Sequence, residues 1–248
     1  MKLGANVIMG TILEVVQQMQ ETQVKAIQEA SKLLEERLRQ GGIIHVFGAG
    51  HSRAFGMEMC GRAGGLVPMK LVALEDIALV EGTPGINLTE LERSPETAHR
   101  LMDIHQVQGE DAFIIVSNSG RNGSAVELAT ICRERGLPII AVTSLQHSTN
   151  TDSRHPCGKK LYELADIVID NCCPYGDVLL EIPNMAERTG SASSIVGGLI
   201  AQALTNEIIR LSVEHGELPP VYRSANLDGG DEHNRQIVAR YAHRNITY

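Results

Sequence analysis

The chain has no tryptophan, and only three phenylalanines and five tyrosines among its 248 residues. Base-stacking platforms need aromatic faces, so a nucleic-acid-binding surface is not expected. An excess of basic residues is missing too. Lys and Arg number 22 against 30 Asp and Glu, a formal net charge of −8, which argues against general attraction to nucleic acid or to anionic membranes. No apolar stretch is long enough to span a bilayer. The amino terminus has Lys2 but then Gly4, Asn6 and polar residues by Gln17, without the apolar core of a signal peptide. The expected compartment is the cytoplasm.

Certain motifs are absent as well. The five cysteines, Cys60, Cys132, Cys157, Cys172 and Cys173, form no C-x-x-C pair. Cys60 and Cys132 fall in helical, apolar patterns and read as small buried hydrophobes. His155-Pro156-Cys157 and Cys172-Cys173 carry metal-ligand residue types, but their spacing matches no zinc finger or ribbon, so no metal is expected. A phosphate-binding G-x-x-x-x-G-K-[ST] sequence does not occur. Gly48-Ala49-Gly50 follows an apolar run as a dinucleotide fingerprint would, with Glu75 in the place of a ribose-binding acid. Arg53 stands where that fingerprint needs its third glycine, so no nicotinamide cofactor is expected, nor any other.

What is present reads as an α/β chain. Residues 7–39 have helical periodicity, with Val16, Met19, Val24, Ile27, Leu34 and Leu38 recurring at three-, four- and seven-residue steps until Gly41-Gly42 stops the helix. Such length points to packing on a second subunit or over the chain's own domain. Short apolar runs follow at Ile43–Phe47, Lys70–Leu74, Ala112–Val116, Ile139–Thr143 and Ile167–Ile169. Helical patterns at Arg53–Arg62, Pro95–His105, Ala125–Arg135 and Lys159–Leu164 separate most of them, which indicates βαβ units and a mainly parallel sheet. Ser124-Ala125-Val126-Glu127 resembles a capping box, and Gly136 with Pro138 closes that helix. Glu75–Ser94, broken by Gly82, Pro84 and Gly85, reads as a long loop or lid.

A last helix is expected over Ser191–Val213, with Ile195, Leu199, Ala203, Ile208 and Leu211 inward. Gly197-Gly198 in its middle implies close approach of another backbone or a ligand. The tail 214–248 is polar, and Arg240-Tyr241-Ala242-His243-Arg244 reads as a solvated face. The whole chain, 1–248, is expected to form a single domain with its core at about 33–211.

Two loops carry the functional signal. Ile43–Phe47 runs into Gly48-Ala49-Gly50-His51-Ser52, and Ala112–Val116 runs into Ser117-Asn118-Ser119-Gly120. Each puts small residues and hydroxyls at the carboxyl end of a strand where a helix begins. Free backbone N–H groups and the helix dipole favour an anion there. With the strand order 2-1-3-4-5, strands one and three are neighbours at the topological switch point, where open α/β sheets bind ligands. A small phosphorylated ligand between the two loops is the expectation.

Gly48-Ala49-Gly50-His51-Ser52 and Ser117-Asn118-Ser119-Gly120-Arg121-Asn122 resemble the two signature loops of sugar isomerase (SIS) domains. The likeness spans about Leu33 to Leu211 and is nearest to the phosphoheptose-isomerase-like branch, with similarity to N-acetylmuramic acid 6-phosphate etherases around Gly48–Arg53. It implies a three-layer α/β/α, flavodoxin-like fold with a five-stranded parallel sheet, and a homodimer or homotetramer with sites near subunit interfaces. It also implies that Gly50, Ser52, Ser117, Asn118, Ser119, Gly120 and Asn122 bind a phosphorylated sugar. Glu58, before Met59-Cys60-Gly61-Arg62, matches the place of the phosphoheptose isomerases' catalytic glutamate. It is the candidate base for aldose–ketose isomerisation through an enediolate, although pairing with Arg62 at i+4 would explain it equally.

The segment Glu187–Ile195 lacks the histidine those isomerases use on the last helix. It looks instead like the Thr/Ser-rich helix start of arabinose-phosphate-isomerase-type domains, which makes Ser193 a ligand candidate. His51 is then the candidate partner acid–base group, with His155 and His233 as further histidines from loops and Glu187 as a second carboxylate. An amino-sugar-phosphate lyase or etherase, and a non-catalytic sugar-phosphate-binding protein, are the alternatives.

Overall fold

A computed structural model describes residues 3–246. Five strands, β1 (Ile44–Gly48), β2 (Met69–Val72), β3 (Ala112–Val116), β4 (Ile139–Thr143) and β5 (Ile167–Asp170), form one parallel sheet in the order 2-1-3-4-5. The three central strands are buried throughout, as both-sided burial in a parallel sheet demands. Alternate residues face opposite layers. Ile44, Val46, Ile114, Val116, Ile140 and Val142 meet α1 (Ala5–Arg39), α2 (Arg53–Met59) and α9 (Ser193–Glu214). On the other side, Phe47, Phe113, Ile115, Ile139 and Ala141 share a core with α3 (Glu75–Glu81), α4 (Leu88–Arg93), α5 (Glu96–His105), α6 (Gly123–Glu134) and α8 (Leu161–Leu164). A one-turn α7 (Leu145–Ser148) follows β4. The hairpin β6 (Val178–Glu181) and β7 (Arg188–Ser191) precedes α9, and α10 (Gly230–Ala239) lies in the tail. Among the described residues no helix is long and apolar enough to cross a membrane.

Several expectations need correction. Glu75–Ser94 is not a loop but two short helices, α3 and α4. Glu75 and Asp76 favour the first turn of α3, Gly82 ends it in a left-handed conformation, and the Asn87 side chain caps α4 by accepting from Thr89 and Glu90 N–H. Gly82, Pro84 and Gly85 thus punctuate between helices. Ser124 forms no capping box: Asn122 holds the cap position of α6, and Ser124 Oγ donates to the Glu92 carbonyl, 2.9 Å away.

The inner face of α9 is Val196, Ile200, Leu204 and Ile208, while Ile195 and Leu199 stay 54% and 41% exposed. Apolar residues ring the amino-terminal half of this helix, so their spacing does not single out one face. Gly197 and Gly198 are approached by the side chains of Phe55 and Glu58 rather than by a backbone, and Gly197 also lines a small pocket with His51 and Ser193.

The tail is not merely solvated. Tyr222, Ile237, Val238 and Ile246 form a small core with Ile43 and Val67. Arg244 is buried and its NH2 group sits against both Asp111 carboxylate oxygens, at 2.6 and 2.7 Å. The α6 start shows a further constraint. A Cβ on Gly123 would lie 2.1 Å from the Arg93 carbonyl oxygen, so the end of α4 packs against bare backbone there.

Candidate functional site

The loops after β1 and β3 meet at the carboxyl edge of the sheet, where neighbouring strands diverge to helices on opposite layers. Between them opens a crevice of about 220 Å³, a little under the ~300–1,000 Å³ usual for small-molecule sites. His51, Ser52, Ser117, Asn118, Ser119 and Asn122 line it, and so does Ser193 from the start of α9. Gly50 and Gly120 shape the loops instead of lining the crevice. Gly50 opens the one-turn helix Gly50–Ser52 at φ 54°. Gly120, at φ 58°, turns the second loop back so that its N–H donates to Ser117 Oγ at 3.2 Å and its carbonyl accepts from Leu161 N–H.

Each wall is fixed by hydrogen bonds. The Asn118 carbonyl accepts from Ser144 N–H and Thr143 Oγ1, and its side-chain oxygen accepts from Asn171 Nδ2 at 2.8 Å. Asn122 donates Nδ2 to Glu92 Oε1 at 2.6 Å and accepts Arg154 NH1 at 3.0 Å. The two helix ends that face the crevice differ. The α6 terminus carries no side-chain cap and no acid in its first turn. The α9 terminus is filled by Asp177, whose carboxylate takes Ser193 Oγ at 2.6 Å and Ser193 N–H at 2.9 Å. The backbone donors of α6 are therefore open to an anion, with the Glu92 carboxylate on Asn122 opposed by Arg154, whereas those of α9 are already taken by Asp177.

Glu92, His147, Asp177 and Asn171 are among the lining residues that were not foreseen. His147 follows β4 and Asn171 follows β5, so the rule that ligands sit beyond strand carboxyl ends pointed toward both. Glu92 sits on α4, which had read as loop, and Asp177 just before an unforeseen hairpin. Burial pushes the His147 imidazole below its ordinary range. The Arg121 charge adds to that, against an opposing Asp177. Its Nδ1 accepts Gly176 N–H at 3.3 Å, so the neutral ring carries its proton on Nε2.

Other candidates lie elsewhere. Glu58 does not line the crevice. Its carboxylate pairs with Arg62 and accepts Gln202 Nε2 at 2.7 Å, against α9. His155 bonds Glu127 and Cys157, His233 Nε2 donates to the Val221 carbonyl in the tail, and Glu187 is exposed on the hairpin. Arg53 and Glu75, the two residues that bear on a dinucleotide site, pair with each other at 3.0 Å.

The sequence pattern of the SIS domain matches residues 9–144. The chain belongs to the SIS domain family. A UPF0309 protein of Halalkalibacterium halodurans is 40% identical over 227 residues, covering 92% of this chain and 93% of its own. A UPF0309 protein of Listeria monocytogenes is 38% identical over 231 residues, covering 93% and 94%. Among solved structures, phosphoheptose isomerase GmhA from Neisseria gonorrhoeae is similar at TM-score 0.54 and 18% identity, covering 82% of this chain and 95% of that one. The Vibrio vulnificus NanR protein complexed with ManNAc-6P gives 0.51 and 15%, covering 96% and 68%. Escherichia coli CFT073 c3406 in complex with A5P gives 0.51 and 19%, covering 83% and 88%. These likenesses establish the SIS fold.

Proposed function

We propose that the crevice binds a phosphorylated sugar, with its phosphate at the α6 terminus among Ser117, Ser119 and Asn122, and isomerises it between aldose and ketose. One observation carries this reading. Two serine loops converge on a crevice with one uncapped helix end and one end already neutralised by Asp177. That polarity supports a phosphate near α6, with the uncharged part of the sugar toward Asp177 and His147. The ManNAc-6P and A5P held by two proteins of this fold support the ligand class.

Isomerisation needs a base at the carbon and an acid at the oxygen. His51 is one such group in the crevice. Two acids compete for the other role: Glu92 lines the crevice, whereas Glu58 occupies the place implied by the Glu58–Arg62 motif but is engaged by Arg62 and Gln202. The geometry favours Glu92. Binding without turnover is the second reading, favoured by the engagement of Glu58 away from the lining.

Thermal unfolding with a panel of sugar phosphates and their unphosphorylated counterparts tests the ligand. A midpoint rise with phosphorylated sugars alone is expected, and no shift, or equal shifts with both sets, overturns the reading. Ser119→Ala is expected to weaken binding roughly tenfold. Glu92→Gln is expected to abolish turnover while sparing binding. Loss with Glu58→Gln instead assigns the base to Glu58, and wild-type binding without turnover establishes the second reading.

Self-association belongs to the same proposal. Helices α1 and α2 both pack on α9, and Met9, Leu13, Met57, Ile195 and Leu199 leave 41–66% of their surface exposed on these three helices. A homodimer or homotetramer through this side is expected in sedimentation.

A further inference from the structure

A second chemical arrangement lies between α7 and α8, outside the crevice lining. Cys157 Sγ is 2.9 Å from His155 Nδ1, and His155 Nε2 is 2.7 Å from Glu127 Oε2 on α6. The other Glu127 oxygen meets His99 Nε2 of α5 at 2.8 Å. The His155 side chain is only 7% exposed, whereas Cys157 is exposed to solvent. The loop itself is braced. Ser153 Oγ accepts His155 N–H and donates to the Lys159 carbonyl at 2.7 Å, and Gly158 N–H returns to the His155 carbonyl.

Two contacts fix the histidine's tautomer. The Glu127 carboxylate only accepts, so the proton sits on Nε2. Nδ1 receives the Cys157 backbone N–H at 3.2 Å, so it presents a lone pair on the side of the thiol. A base oriented by a carboxylate and set against a thiol is the arrangement that makes cysteine a nucleophile. The two imidazole nitrogens serve different partners, so a single metal ion could not take both. Among the described residues, no group of three or more His, Cys, Asp and Glu is arranged to hold one. Burial pushes the Cys60, Cys132 and Cys173 thiols up to about 12 and raises Cys172 as well, which makes all four poor nucleophiles.

We propose that Cys157 is a nucleophilic thiol, activated by His155 and Glu127, that is modified by small electrophiles and in particular by hydroperoxides. The thiol proton passes to His155 Nδ1 and the sulfur attacks the terminal peroxide oxygen. The O–O bond breaks as the S–O bond forms, and the leaving alkoxide or hydroxide takes the proton from His155. Sulfur is thereby oxidised by two electrons to the sulfenic acid, and the peroxide is reduced to an alcohol or water. None of this rests on the sugar-phosphate reading.

The test is site-resolved alkylation by iodoacetamide at pH 6.5, read by peptide mass spectrometry. The folded protein is compared with a synthetic peptide of residues 150–160. Cys157 in the protein is expected to react at least about tenfold faster than in the peptide, since only the thiolate attacks. His155→Asn should remove that excess, Glu127→Gln should reduce it, and hydrogen peroxide followed by a sulfenic-acid trap should mark Cys157. Equal rates in protein and peptide, an undiminished rate in a folded His155→Asn variant, or no trapped sulfenic acid overturns the proposal. Should His155→Asn fail to fold, the protein-against-peptide comparison and Glu127→Gln still decide it.

Discussion

Asp111 has a fully buried side chain, yet four donor groups surround it. It accepts from Ile43 and Gln108 N–H, from His45 Nε2 at 3.0 Å, and twice from Arg244. Burial alone would raise its carboxyl, but these hydrogen bonds outweigh burial and bring it down to about 2. His45, stacked on Phe113, is pushed down by burial against the pull of Asp111, so it stays neutral near pH 7. Both groups therefore release protons more readily in the folded state, and both stabilise at higher pH. Stability is expected to fall first below the ordinary imidazole value of 6.5. A second fall of about 2 kcal/mol comes from Asp111 as the pH drops from about 4 toward 2. Urea titrations across pH 2–8 check this, and a flat profile above pH 4 would remove His45 from the account. Arg244→Ala leaves the Asp111 charge buried without its main partner, and a loss of roughly 3–5 kcal/mol in the same titration is expected. Nothing in the run Arg240–Arg244 announces this, since a buried arginine and a solvated one look alike without the acid that receives it.

At the scale of elements, legibility follows burial. The five strands are apolar runs bounded by turn residues, and they appear close to where their sequences place them because a doubly covered parallel strand has no polar face. Helices α3 and α4 span seven and six residues, too short for periodicity to rise above the glycines and prolines around them. The same limit divides the crevice. His51, Ser52, Ser117, Ser119 and Ser193 were readable because they adjoin strands or helix starts with strong signals. Glu92 and Asp177 were not, since α4 and the hairpin have none. The junction of α4 with α6 offers a test of opposite sign to helix propensity. Gly→Ala within a helix ordinarily stabilises by about 1 kcal/mol. Gly123→Ala is expected to destabilise by roughly 1–3 kcal/mol, because its methyl would meet the Arg93 carbonyl. Displaced with it would be Glu92 and its bond to Asn122, so sugar-phosphate affinity should fall in the same variant. Differential scanning calorimetry and ligand titration measure both, and an unchanged midpoint would contradict the packing described.

Over the whole molecule, α1 governs the outline. Its 35 residues extend roughly 50 Å, while five strands about 4.8 Å apart span only ~20 Å. The helix overhangs the sheet, and Ile8 reaches Gly190 on the β6–β7 hairpin there. Met9 and Leu13 stay outward on that overhang. If those side chains sit between copies of the chain, Leu13→Glu with Leu199→Glu should shift the sedimenting species toward monomer with the fold retained. An already monomeric wild-type protein would refute the interface. The opposite end of the chain has a different consequence. Arg244 neutralises an acid that stands 133 residues earlier, at the entrance to β3 and beneath β1. The tail is therefore a clasp on the central strands, and whatever loosens residues 240–246 leaves a buried charge uncompensated at the base of the sheet.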